Sequence, residues 1–402
     1  MIALSSPPRR NDVDTLRAVV VLLLVPFHTA RLFDAEVWHM KDMNAPYWAA
    51  DFLIRSLNVA QMSLLFLLAG MSAAWALERR SRVAFLKERF ARLIVPLLIG
   101  TVVLVAPQVW VERITPDVPL RMSPIDHEGG LWPFMTTYFR CCYPEANFSW
   151  HHLWFLPYLF TYCLPLVFLD NAAVARRLAR WMTKAPWRLF LPGLILIGIE
   201  AALRPSFPST HNLVWDWANH AHYGFLVLFG WWLGRNPDVE ASICDIRQIA
   251  LFLSAGLVAL WFATLPVDAG GVGMIETPHT IRHMIRFAAE WCLLLTLLGY
   301  GRILFSRPIP ILKAFVPIAL PFYLFHQTII VILGWLWLDW TGMPLLKAAA
   351  VAVLTTILSI LLAWGAAHSA MTRLATGLPF RRKPRFPLRS TEAICIRWLA
   401  RW

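Results

Sequence analysis

Charge is scarce in this chain. Of 402 residues only 15% are charged, against 58% hydrophobic, and the mean hydropathy is +0.56. A water-facing core could not hide that much apolar surface, so an ordinary soluble globule is excluded and a polytopic membrane protein is indicated. Cysteine is sparse too. The six cysteines show no metal-ligand spacing, and Cys163 and Cys292 lie in apolar runs where a thiol behaves as a small hydrophobe. Cys141 and Cys142 are adjacent, an arrangement that rarely bridges comfortably, so separate thiols are expected. The first apolar run lacks a small-residue cleavage site and reads as a retained signal anchor. No nucleic-acid reading motif accompanies the scattered basic residues, so a nucleic-acid partner is excluded. No repeat of interrupted segments links the two halves, which weighs against the competing reading, a secondary transporter of a small polar or anionic solute.

What is present is a succession of apolar runs. Ten transmembrane helices fit, at about 14–34, 56–77, 92–112, 151–169, 187–203, 220–234, 248–267, 282–304, 314–338 and 346–368. The fold class expected is therefore an all-α integral membrane protein. Residues 1–370 read as a single transmembrane domain and 371–402 as a basic tail; the longest loop, about Arg113 to Trp150, is too short for a separate enzyme module. Placing both termini in the cytoplasm puts 27 of the 37 Lys and Arg residues on inner segments, as the positive-inside rule requires. The net charge of +13 then faces the anionic lipid of the cytoplasmic leaflet. The expected location is the inner (plasma) membrane, multi-pass.

Proline recurs inside the expected spans, at Pro26, Pro96, Pro107, Pro157, Pro165, Pro192, Pro317 and Pro321. Each removes a backbone donor and favours a kink that can frame a cavity. Many of the 21 tryptophans fall near span ends, where interfacial belts account for them. Nine histidines, including His39, His151, His152, His211, His220 and His222, fall on outer segments and read by default as surface residues; no metal site is completed. Gly270-Gly271-Val272-Gly273 lacks the strand and lysine of a phosphate cradle and reads as a turn. Gly70 reads as a point of close helix packing.

Ionisable groups inside apolar runs are costly and mark chemistry. Arg17 and His28 share the first run with ten residues between them, on one helix face and roughly 16 Å apart along the axis. Arg17 is placed to pair with Asp14 or to clamp a phosphate or carboxylate. Arg89 and Arg92 neighbour each other at the start of the third span, where two guanidiniums can grip phosphates bidentately. Tyr323 and His326 lie on nearly one face of the ninth span, able to point into one cavity as acid or oxyanion donor, or to act as a packing pair. Glu290 in the eighth span has Arg286 four residues before it as a neutralising partner. His152 opens the fourth span, where it and Trp154 could meet a substrate.

Asp14-Thr15-Leu16-Arg17 with the interval to His28, Arg89-Phe90-Ala91-Arg92 ahead of Leu93-Ile94-Val95-Pro96, His152-Leu153-Trp154-Phe155-Leu156 and Phe322-Tyr323-Leu324-Phe325-His326 occur in this order. Together they resemble the membrane acyltransferase-3 family, in its glucan-biosynthesis branch that lacks a fused esterase domain. Leu68-Ala69-Gly70 departs from the pattern, because relatives often carry serine before this glycine. The resemblance implies transfer of an acyl group from cytoplasmic acyl-CoA, acetyl-CoA or succinyl-CoA, to a hydroxyl of an extracytoplasmic carbohydrate, with no metal. It implies His28, Arg17, His326 and Tyr323 as catalytic residues, and Arg89, Arg92 and Arg17 at the donor. His152, Trp154 and Glu290 are then expected at the acceptor. A neutral His28 can take a proton from that hydroxyl as general base; an acyl-histidine intermediate is the alternative.

Overall fold

The computed structural model describes residues 10–43, 45–169, 172–266, 271 and 273–379. Most of the basic tail and part of the Gly270–Gly273 turn therefore lie outside the described residues. Regular structure among the described residues is helical, with a single isolated bridge between Trp38 and Arg121.

Among the described residues eight helices are long and apolar enough to cross a membrane: Asn11–Ala30, Trp48–Glu78, Arg82–Arg113, Pro186–Leu203, Pro237–Thr264, His279–Leu304, Pro310–Leu336 and Pro344–Ala366. The other two expected spans are helical but differ in character. His151–Trp154 leads into the short helix Phe155–Leu166, and Trp217–Gly234 is diluted by Asn219, His220 and His222. The helix expected from 248 begins at Pro237, since proline fits the first turn of a helix and Asp238 and Glu240 complement its dipole there.

The first helix is the hub. It packs against the helices Gln61–Glu78, His279–Leu304, Ala319–Leu336 and Pro344–Ala366, burying Val13, Leu16, Val20, Val21, Leu24 and Val25. The helices Gln61–Glu78 and Trp217–Gly234 approach until backbone meets backbone. A Cβ at Gly70 would collide with the Val227 carbonyl and one at Gly230 with the Leu67 carbonyl, so the expected close packing at Gly70 is present. Gly70→Ala must push the helices apart and should lower the unfolding free energy by about 1–3 kcal/mol. A thermal unfolding midpoint unchanged from wild type would contradict this contact.

Two prolines leave their mark in the third span without breaking it. A π-turn at Phe90–Ile94 precedes Pro96 and another at Thr101–Val105 precedes Pro107. A proline cannot donate to the turn before it and its ring crowds the carbonyl four residues back. The wider turn absorbs both defects and keeps the helix continuous.

Loops 31–47, 114–150 and 205–216 gather at the end of the bundle where the first helix terminates. Trp38 N–H donates to the Leu120 carbonyl and Met122 N–H to the Trp38 carbonyl, both at 3.0 Å, tying two of these loops together. Buried ions brace them: Lys41 is paired with Asp34, and Lys347 with Asp42. Cys141 and Cys142 lie side by side within the long loop. The opposite end carries Arg10, bonded to Asp12 at 2.7 Å and to Glu240 at 2.6 Å.

Candidate active site

A cavity of about 950 Å³ opens beneath these loops. Its inner wall carries His28 and His152, and the fully buried His326, from a third distant segment, packs directly behind them. The first helix ends at Ala30 rather than near residue 34, so His28 lies in its last turn and lines the cavity instead of sitting deeper in the bilayer. The His28 ring is 5.1 Å from that of His326, which is 5.3 Å from that of His152. Trp38 lies parallel to His28 at 6.2 Å.

Backbone carbonyls set the tautomers of two of these rings. His326 Nδ1 is 2.7 Å from the Tyr323 carbonyl, and His152 Nε2 is 3.0 Å from the Leu324 carbonyl. A carbonyl only accepts, so each of these nitrogens carries its proton, and the basic lone pairs fall on His326 Nε2 and His152 Nδ1. Both of those atoms, and His28 Nδ1, are buried with no hydrogen-bond partner among the described residues. Buried polar atoms are nearly always paired, so three unpaired ring nitrogens in one cluster mark it as a candidate site. With a bare Nε2, neutral His326 is an acceptor; it can serve as an acid only after taking up a proton.

Tyr323 takes a different place from the one its spacing predicts. Its hydroxyl donates to the His152 carbonyl, so the helix segment carrying His152 is pinned to the one carrying His326. It positions the cluster and does not line the cavity. Behind His326, Gln327 donates to Gln108 Oε1 at 3.1 Å and Gln108 donates to Thr328 Oγ1 at 2.7 Å, a polar ladder that fixes the two helices. Sequence reasoning passed over Gln108, although a buried amide beside Pro107 in an apolar run was a signal.

Of the outer histidines read as surface residues, His39, His151, His211, His222, His279 and His283 line the cavity instead. His39 and His151 face each other with ring centroids 3.9 Å apart. Tyr143 donates to Glu112 at 3.0 Å, and His39 Nδ1 is 3.0 Å from the same hydroxyl. Burial, with the Glu112 carboxylate adjacent, raises the Tyr143 pKa and keeps the phenol protonated. Trp154 lines the cavity but one face of its ring is stacked on His211 at 4.0 Å. Burial pushes His211 down to about 4, so that stack involves a neutral imidazole, and only the remaining surface of Trp154 is available to a ligand.

Glu290 is fully buried and pairs with His222, not with Arg286. The neutralising partner was misassigned because i, i+4 spacing considers only one helix. Arg286 turns away to the Asn58 carbonyl at 3.0 Å. His222 bridges Glu290, at 2.9 Å, and Glu200, at 3.0 Å, and Arg204 holds Glu200 at 2.8 Å. Every member of this chain lines the same cavity.

At the other end of the bundle, Arg17 donates to Ser72 Oγ at 2.5 Å and lies 3.5 Å from Asp14. The π-turn that contains Arg92 carries it round to the Gly377 carbonyl at 3.3 Å, with Glu88 at 3.6 Å. Arg89 lies over the Phe85 ring at 5.0 Å. The two arginines share an end of the molecule. Among the described residues no group of His, Cys, Asp and Glu is arranged to hold a metal ion.

Comparison with known proteins points the same way as the cluster. The chain is similar to glucans biosynthesis protein C of Salmonella schwarzengrund (strain CVM19633) and of Salmonella typhi, 24% identical over 152 residues in each case. It is also similar to that of Salmonella paratyphi B (strain ATCC BAA-1250 / SPB7), 23% identical over 155 residues. The matched region is 37% of this chain and spans 36% of the length of these curated relatives. No solved structure matches. Residues 10–364 match the family described as an acyltransferase domain, a stretch that contains the three histidines, the cavity and the arginines of the opposite end, and the chain therefore belongs to the membrane acyltransferase-3 family.

Proposed function

We propose that this protein transfers an acyl group, acetyl or succinyl, from cytoplasmic acyl-CoA to a hydroxyl of an extracytoplasmic carbohydrate such as a cell-envelope glucan. The proposal places it in the inner membrane with its N-terminus in the cytoplasm. The observation that carries it is the cluster of His28, His326 and His152, with unpartnered ring nitrogens, of which His28 and His152 line a cavity of about 950 Å³ and His326 lies in ring contact with both. A space of that size suits a sugar-sized acceptor, and the names of the Salmonella relatives favour a glucan.

In this reading His28 accepts the proton of the acceptor hydroxyl as its oxygen attacks the thioester carbonyl. The carbon–sulfur bond breaks, and the leaving CoA thiolate takes up the proton, so that an ester and free CoA result. His326 and His152 supply further sites for that proton in transit. Arg89, Arg92 and Arg17 meet the donor on the cytoplasmic side. Purified protein in nanodiscs, given radiolabelled acyl-CoA and a glucan oligosaccharide, should form labelled ester; no transfer to any carbohydrate hydroxyl would overturn the reading. Mixing with donor alone distinguishes the routes, since label retained on His28 after denaturation would establish an acyl-histidine intermediate in place of direct transfer.

Arg92→Ala should weaken acyl-CoA binding about tenfold, the scale of one charge-assisted phosphate contact. Isothermal titration with a non-hydrolysable CoA thioether would read this directly, and unchanged affinity would remove Arg92 from the donor site.

A further inference from the structure

The cavity mouth carries cations that the fold does not neutralise. Arg55 comes from the helix Trp48–Asn58, and Arg282 and Arg286 stand one turn apart on His279–Leu304. Arg286 donates to the Asn58 carbonyl at 3.0 Å, which joins the two helices and brings all three guanidiniums to one wall. Arg282 has only the Thr277 carbonyl, at 3.3 Å. The nearest carboxylate to Arg55 is Glu36 at 3.7 Å, already held by Arg31 at 2.7 Å. The Nε atoms of Arg55 and Arg282 are buried without a partner among the described residues. His279 and His283 add two imidazoles, Nε2 to Nε2 at 3.1 Å.

Five other cations at this end are matched by carboxylates. Arg31, Lys41, Arg204 and Lys347 pair with carboxylates, and Arg121 with Asp126 at 2.6 Å. Glu290, one turn beyond Arg286, is committed to His222. In the proposed orientation this wall faces outward, where Lys and Arg run against the positive-inside bias. Three arginines kept there with backbone or remote partners bring no return in stability that the contacts account for; buried guanidinium donors call for an acceptor.

We infer that this wall is an anion subsite: Arg55, Arg282 and Arg286 receive a carboxylate or phosphate carried either by the transferred acyl group or by the acceptor. The inference rests on the acyl-transfer reading for the identity of its ligand, but its test does not require turnover. Tryptophan fluorescence of the protein in nanodiscs can follow two matched pairs of probes: a carboxymethylated glucan oligosaccharide against its neutral parent, and succinyl-CoA against acetyl-CoA. The wild type should prefer the anionic member of at least one pair by about tenfold, and the pair that shows it identifies the source of the anion. R282Q/R286Q should lose that preference, R282K/R286K should retain part of it, and the preference should shrink with rising salt. Gel-filtration profiles confirm that the variants are folded. The assignment is overturned if the wild type makes no distinction within either pair, or if R282Q/R286Q keeps it. Absence of acyl transfer with these probes would count against the proposed function and leave the binding result standing.

Discussion

His28→Ala should lower kcat for acyl transfer by about 10²- to 10⁴-fold, the contribution typical of a positioned general base, while the affinity for acyl-CoA stays close to wild type. The ring lies on the cavity wall at the last turn of the hub helix, remote from Arg89 and Arg92, so its removal deletes the proton acceptor without touching the donor contacts. The alanine variant leaves space beside His326 for a free imidazole, and added imidazole should restore part of the rate. His326→Ala should act on the same proton path, and the double variant should lose less than the sum of the two single effects, as for residues that work as a unit. Full activity in His28→Ala would end the general-base assignment, and additive losses would separate the two histidines.

The fold was legible wherever hydropathy controls structure. The apolar runs locate eight spanning helices because each must satisfy its backbone internally and face lipid. The helix Trp217–Gly234 shows where hydropathy stops informing: its histidines and asparagine are covered by neighbouring helices and paired there, so its environment depends on tertiary contacts. The prolines were expected to kink helices. At Pro96 and Pro107 the strain goes into π-turns instead, a choice that depends on what packs around the helix.

The site was legible in its most costly residues and opaque in its partners. His28, His326 and Glu290 stood out because a polar group in an apolar run needs a reason. Which group answers it is a matter of contacts across 68 residues for His222 with Glu290 and 172 for His152 with Leu324, and neighbour spacing on one helix cannot reveal those. The same limit made His39, His151 and His222 look like surface residues. The spacing of Arg89 and Arg92 is set by a local feature that the i, i+3 rule does not contain, since that rule presumes an α-turn and a π-turn intervenes.

Glu200→Ala should be among the most destabilising single changes in this protein, at about 3–5 kcal/mol, the usual cost of breaking a buried ion pair. Glu200 is the middle link between Arg204, at 2.8 Å, and His222, at 3.0 Å. Its removal leaves a guanidinium and an imidazole side by side, with only the neutral acceptors Asn219, at 2.7 Å, and the Phe207 carbonyl, at 3.5 Å, bonded to Arg204 among the described residues. Glu290→Gln should cost less, because the amide can still accept from His222 and His222 keeps Glu200. Combining Glu200→Ala with Arg204→Met removes the stranded cation along with its partner and should recover much of the loss, the behaviour expected when the penalty is an uncompensated charge rather than lost packing. Denaturant titration in mixed micelles would measure these proteins together with wild type and Arg204→Met alone. A Glu200→Ala variant as stable as wild type, or a double variant worse than the sum of its parts, would show that the charges along this wall do not hold the bundle together.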